Sequence, residues 1–278
     1  MTPNFIGVTG LPRAGSTLLC QLLAQHPDVH CEGHSSPLCN TLLGIRRMVS
    51  DDTFFLSQLD NRFESAYASL TSAMQGFLRG WHRDCGKKAV VDKNRAWLHA
   101  IELLLQIAPE AKLIVCLRDL GQIYGSIEAQ HQRTIFLDFI DHLADYDRLG
   151  RADMLFAKDK AIGAPLVSLN AVQDLPAEVR KRLYFLRYED VMSQPAACMT
   201  HVYDWLGLSA LEIDPRNLAT GVQESDSQYH MKYPHRRFDH VGSPARHDIP
   251  PRIQAHIEKA CGWYYDLYYR SVVTSQAG

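Results

Sequence analysis

Short runs of apolar residues alternate with longer amphipathic stretches along this chain. Phe5-Ile6-Gly7-Val8-Thr9 is apolar at successive positions, the pattern of a strand buried on both faces. Lys88 to Val91 reads the same way and ends at Asp92-Lys93. So does Lys112 to Leu117 (KLIVCL), and so does Leu183 to Leu186 (LYFL), which leads into Arg187-Tyr188-Glu189-Asp190. Between these runs the period is helical. Leu18, Leu19, Leu22 and Leu23 share a face from Ser16 onward, and His26-Pro27 stops the run. Residues 51 to 82 read as mostly helix, with Phe63, Tyr67, Leu70, Met74 and Phe77 as a stripe. Leu98, Ile101, Leu104 and Leu105 predict a helix that stops near Pro109, and another starts near Leu120. Pro195 to Leu206 and Pro251 to about Arg270 complete the helical set.

This alternation predicts an α/β fold with a central parallel sheet covered on both faces. Open parallel sheets bind ligands beyond the carboxyl ends of their strands. No repeat, low-complexity block or Gly/Ser linker divides the chain, so residues 1–278 read as a single domain with helical insertions.

Composition narrows the classes. Of 278 residues, 46% are hydrophobic and 22% charged, enough apolar mass for a sizeable core and too much for a disordered chain. The net charge of -2 argues against a nucleic-acid partner or polybasic membrane binding. No apolar run reaches a membrane span, and the first ten residues lack the pattern of a secretory signal, so stable membrane insertion is not expected. The seven cysteines form no CxxC pair, which fits a reducing, cytoplasmic setting and argues against a zinc ribbon.

The chemistry lies just after the strands. Gly10-Leu11-Pro12-Arg13-Ala14-Gly15-Ser16-Thr17 joins a strand to a helix with the glycine spacing of a P-loop. Such a loop bends close to an anion and aims the free N–H groups of a helix start at it. Ser16 occupies the position where an NTPase P-loop carries Lys, which argues against ATP or GTP hydrolysis. Arg13 places a cation inside the loop instead. The segment GLPRAGSTLL resembles the 5′-phosphosulfate loop of the sulfotransferases, above all that of the tyrosylprotein sulfotransferases and related bacterial enzymes. The resemblance implies a P-loop-like, three-layer α/β fold. It also implies 3′-phosphoadenosine 5′-phosphosulfate as donor, 3′-phosphoadenosine 5′-phosphate as product and no metal. On that reading Pro12, Arg13, Ala14, Gly15, Ser16 and Thr17 hold the 5′-phosphosulfate.

The family's second donor motif is an Arg at a strand end and a Ser eight residues on. KLIVCLRDLGQIYGSIEAQ supplies Arg118 and Ser126 at that spacing, and the resemblance assigns them the 3′-phosphate. Arg is a fork-shaped cation suited to phosphate, and Ser126 stands about two turns into the following helix. Lys93, in VVDKNRAWL, resembles the family's catalytic Lys and is assigned with Arg13 to the leaving group and the sulfuryl oxygens. For the base, the matching stretch is His30-Cys31-Glu32-Gly33-His34-Ser35-Ser36. The family's acidic pair is replaced here by Gly33 and His34, which leaves His34 or Glu32 to take the proton of the acceptor hydroxyl. Tyr188 either contacts the adenosine or fills the core. Lys232 and Arg236, in a cationic cluster with His235 and Arg237, either cover the donor or face solvent. The tyrosines at 264, 265, 268 and 269 read as helix packing.

The partner implied is a hydroxyl-bearing acceptor: a small molecule, a glycan or a peptide tyrosine. Residues 35 to 82 and 128 to 165 are the segments expected to shape its pocket. A homodimer is compatible with the sequence, which does not fix the oligomeric state. Two other classes stay open: a Mg²⁺-dependent P-loop kinase using Asp119 as metal-holding acid, and a nucleotide-binding protein without catalysis.

Overall fold

A computed structural model describes residues 3–138, 142–218, 237–243 and 246–270. In chain order the elements are β1 (Asn4–Gly10), α1 (Ser16–Leu23), β2 (Val29–His30), α2 (Leu38–Asp51), α3 (Thr53–Trp81), β3 (Ala89–Lys93), α4 (Ile101–Ile107) and β4 (Lys112–Leu117). There follow α5 (Leu120–Arg133), α6 (Arg148–Phe156), α7 (Gly163–Ala171), α8 (Ala177–Arg180), β5 (Leu183–Arg187), α9 (Tyr188–Ser193), α10 (Pro195–Leu206), α11 (Pro251–Ala260) and α12 (Gly262–Tyr265). No helix among the described residues is long and apolar enough to cross a membrane.

The five strands form one parallel sheet in the order β2-β3-β1-β4-β5. The apolar runs explain the pairing. β3 and β4 flank β1 and are buried at consecutive positions, so both faces of the sheet are covered. The chain leaves β1, builds β2 and β3 on one side, and returns to place β4 on the other. The carboxyl end of β1 is therefore the point where strand order reverses, the place where such sheets open a crevice for ligands.

Contacts divide the chain into two compact units. Among the described residues the first holds 3–117, 175–218 and 237–243, and so the whole sheet; the second holds 118–138, 142–174 and 246–270. In the first unit, Phe5 meets Trp97 edge-on with ring centroids 5.2 Å apart, and α1 buries Leu18, Leu19, Leu22 and Leu23. In the second, Glu128 of α5 takes two hydrogen bonds from Arg151 of α6, each 2.7 Å, with both side chains buried.

The strands at 112–117 and the helix at 195–206 fall where the pattern predicts. Three elements differ. The helix expected over 51 to 82 is α3, which Asp52 starts by accepting a hydrogen bond from the Phe55 N–H at 2.7 Å, but α2 before it was not expected. α3 also carries non-helical backbone angles at Arg62. Its expected stripe is buried only in the second half, at Met74; Phe63 and Tyr67 are exposed, and stack on each other with centroids 5.5 Å apart. The last helix breaks at Cys261, between α11 and α12, and finishes in a π turn over Asp266–Arg270.

Candidate active site

The loop between β1 and α1 is shaped by its glycines. Gly10 has φ +118°, and a Cβ there would lie 2.2 Å from the carbonyl oxygen of Cys116, so only glycine lets the loop pass β4. The Leu11 N–H then donates to that same carbonyl at 3.0 Å, tying the loop to β4. Arg13 takes a left-handed conformation (φ 59°), unusual for a residue with a Cβ. Gly15 has φ +85° and packs under the ring of Tyr188, where a Cβ would come within 2.5 Å of Cδ2. Tyr188 is thus buried beneath the loop. No side chain caps α1, and its first turn holds no acid. The N-terminal N–H groups and the positive end of the helix dipole therefore face the loop with no capping side chain and no acid in the first turn.

Into this place β3 delivers Lys93. Its register against β1 (Lys93 beside Val8) sets it at the strand end, and its Nζ donates to Thr17 Oγ1 at 3.3 Å. Lys93 is 5% exposed. The cation missing from the loop at Ser16 is thus supplied from a neighbouring strand. An anion bound here would meet both the Lys93 ammonium and the positive end of the helix.

The segment after β2 is stitched to the same strand end. Ser36 N–H donates to the Lys93 carbonyl at 2.9 Å, Ser35 bridges to Lys93, and Asn94 Nδ2 donates to the Ser36 carbonyl at 2.6 Å. This brings Glu32 and His34 to the rim of a cavity of about 380 Å³ that Lys93 also lines. His34 Nε2 lies 3.2 Å from Glu32 Oε2, and His30 Nε2 lies 3.4 Å from Glu32 Oε1. A carboxylate only accepts, so Nε2 of a neutral His34 carries the proton and Nδ1 the lone pair. Nδ1 is buried and has no hydrogen-bond partner. The two candidates for the base are therefore one pair, with Glu32 in the orienting position.

The floor of the cavity carries groups not singled out from sequence. Asp92 is 2% exposed; its Oδ1 accepts from the Trp97 indole N–H at 2.7 Å, while Oδ2 is buried with no hydrogen-bond partner. Burial pushes its carboxyl above the ordinary range, against the opposing pull of the Ser36 and Trp97 side chains. His82 Nε2 lies 3.8 Å from Oδ2, too far for a hydrogen bond. Burial, and then the nearby His30, hold His82 below its ordinary pKa, so it is neutral. Cys31 and Cys20 also line the cavity; the Cys20 thiol and then burial push the Cys31 thiol well up, which makes it a poor nucleophile.

The second unit holds Arg118 and Ser126. Arg118 follows β4 directly and is 7% exposed. Tyr264 grips its backbone on both sides: the hydroxyl donates to the Arg118 carbonyl at 2.9 Å, and the Arg118 N–H lies 3.3 Å from the same oxygen. The sequence marked Tyr264 only as packing. Asp119 caps α5, with Oδ1 accepting from the Gln122 N–H at 2.8 Å. Ser126 is buried within α5. Near it, a Cβ on Gly125 would lie 2.6 Å from the His247 Cβ, and Gln122 pairs with the His247 backbone through both its amide atoms. Lys232 and Arg236 lie outside the described residues. In the first unit, Asp190 takes a bidentate contact from Arg187 at 2.7 and 2.9 Å.

A family model described as the sulfotransferase family matches residues 3–212. The chain belongs to the sulfotransferase family. Among curated relatives, protein-tyrosine sulfotransferase 1 of Danio rerio is 34% identical over 117 residues, which is 41% of this chain and 32% of that protein. Carbohydrate sulfotransferase 4 of Mus musculus is 30% identical over 111 residues, 39% of this chain and 28% of that protein. Nodulation protein NoeE of Sinorhizobium fredii (strain NBRC 101917 / NGR234) is 23% identical over 244 residues, 81% of this chain and 54% of that one. The matches span 32%, 28% and 54% of these relatives' own lengths. Among solved structures, a sulfotransferase from Alicyclobacillus acidocaldarius aligns over 77% of this chain and 85% of its own, with 16% identity and a TM-score of 0.48.

Proposed function

We propose that this chain transfers a sulfuryl group from 3′-phosphoadenosine 5′-phosphosulfate to an acceptor hydroxyl. The observation that carries the proposal is the buried Lys93 ammonium at the uncapped, acid-free start of α1, held there by Thr17. That arrangement is built for an anion, and the family supplies its chemistry. The donor brings an activated sulfuryl group with a phosphate leaving group. The chain's residues then divide the work. The α1 N–H groups of Gly15, Ser16 and Thr17, with Arg13, bind the 5′ end. Arg118 and Ser126 take the 3′-phosphate. His34 Nδ1 accepts the acceptor's hydroxyl proton while Glu32 holds Nε2–H and steadies the imidazolium. The acceptor oxygen forms the new O–S bond. The bond from sulfur to the phosphate oxygen breaks, its electron pair stays on that oxygen, and Lys93 stabilises the charge. The products are a sulfate ester and 3′-phosphoadenosine 5′-phosphate.

The kinase alternative is not favoured. Asp119 Oδ1 is committed to capping α5, and Ser16 stands in place of the P-loop Lys.

Transfer from sulfur-labelled donor to an acceptor panel tests the assignment. Lys93→Ala is expected to lower kcat about 10²–10³-fold, the scale of one lost oxyanion donor, and His34→Gln about 10²–10⁴-fold, the scale of a lost general base. Unchanged turnover in both variants would contradict it.

A further inference from the structure

The candidate cavity holds more hydrogen-bonding capacity than one reacting hydroxyl needs. Three buried polar atoms without a partner belong to residues that line it: His34 Nδ1, His82 Nε2 and Asp92 Oδ2. An unmet buried polar atom costs about 1–3 kcal/mol. Three around one cavity are a cost that a ligand removes. His34 Nδ1 is assigned above to the reacting hydroxyl. His82 and Asp92 remain. They come from the residue after α3 and from β3, and lie 3.8 Å apart with neither satisfying the other, while the Ser36 side chain, also in the lining, offsets part of the burial of Asp92. A group that both donates and accepts, seated beside them, completes both. A hydroxyl does this; an ammonium only donates, and an ether or ester only accepts.

The lining also includes an aromatic ring. Trp81 lines the cavity, is 46% exposed, and stacks on Phe77 at 6.0 Å with an interplanar angle of 26°. A flat apolar platform next to a polar floor suits a ring with a C–H face and hydroxyls at its edge. A lone phenol would leave His82 and Asp92 unmet.

We propose that His82 and Asp92 are specificity-determining residues that bind a second hydroxyl of the acceptor, close to the one that is sulfated, and that the acceptor is a polyol or pyranose sugar. This rests on the donor reading for the identity of the reaction, but not for the sugar contact itself.

The test measures binding as well as turnover. Saturation-transfer NMR would follow methyl glucoside, methyl galactoside, methyl mannoside and myo-inositol, with cyclohexanol and phenol as single-hydroxyl controls. The protein would be wild type, His82→Phe and Asp92→Asn, each with and without 3′-phosphoadenosine 5′-phosphate. His82→Phe keeps a ring against Phe5 and removes the nitrogens; Asp92→Asn keeps the acceptor for Trp97 and turns Oδ2 into a donor. At least one polyol is expected to bind wild type more tightly than either control. That preference should fall about tenfold in each variant, the size of one or two lost hydrogen bonds, while the controls stay unchanged. Binding of no polyol better than cyclohexanol, or a polyol preference unaltered in both variants, would overturn the inference. If the preference depends on His82 but the nucleotide does not bind, the donor reading fails and the sugar contact stands.

Discussion

Asp92 shows how a single side chain can serve a site at the expense of stability. Its carboxyl is buried with one oxygen bound to Trp97 and the other unmatched, and burial drives its pKa up. A folded-state pKa above the unfolded one means that the native state binds the proton more tightly. Stability from this group is then greatest in acid and is lost as pH rises from the ordinary Asp range through the raised value. Asp92→Asn keeps the Trp97 contact and removes the charge. The variant is expected to melt above wild type at neutral pH, with the gap closing toward the ordinary carboxylate range. A Tm equal to or below wild type at neutral pH would contradict the assigned burial cost. The adjacent Lys93 was legible in the sequence because a strand pattern and a family motif both point to it. Asp92 and His82 were not: their meaning depends on α3 ending beside β3, a meeting that no local spacing encodes. Tyr264 escaped for the same reason, since its hydroxyl grips a backbone 146 residues away.

Among the elements, those with a long uniform pattern were the readable ones. KLIVCL has six consecutive residues to show a buried strand, and β4 runs from Lys112 to Leu117. β2 has two residues, too few for any period, yet it carries the chain into Glu32 and His34. α2 went unread, whereas the helix expected from 51 starts at the Asp52 cap that divides the two. The link between α5 and α6 makes a sharper prediction. Burial alone would raise the Glu128 pKa, but hydrogen bonds from Arg151 and Gln132 outweigh it and hold the carboxyl below its ordinary range. The pair's stabilisation is present above the ordinary Glu pKa and lost as pH falls through the lowered one. Arg151→Leu leaves the buried Glu128 with the neutral Gln132 amide and the half-exposed Arg148, whose Nε is 3.4 Å away. Urea unfolding is expected to show a loss of about 3–5 kcal/mol at neutral pH, with the difference shrinking in acid. A loss independent of pH would mean that packing, not charge, joins these helices.

For the whole molecule, the sheet order places the phosphate loop at the strand-order reversal, where an α/β sheet offers a crevice. The parallel sheet could be read because β1, β3, β4 and β5 are short apolar runs, each leading directly into a candidate site residue. What the chain binds is the central claim, and the 3′-phosphate separates it from every ATP-like ligand. The most direct test is calorimetric titration of the full chain with 3′-phosphoadenosine 5′-phosphate, with ADP as control, on wild type and Arg118→Ala. The account predicts tight binding that ADP does not match and that Arg118→Ala weakens at least tenfold, a fold-change of about 1.4 kcal/mol. ADP binding as well as or better than the 3′-phosphorylated nucleotide, or an Arg118→Ala variant that binds as wild type does, would contradict it.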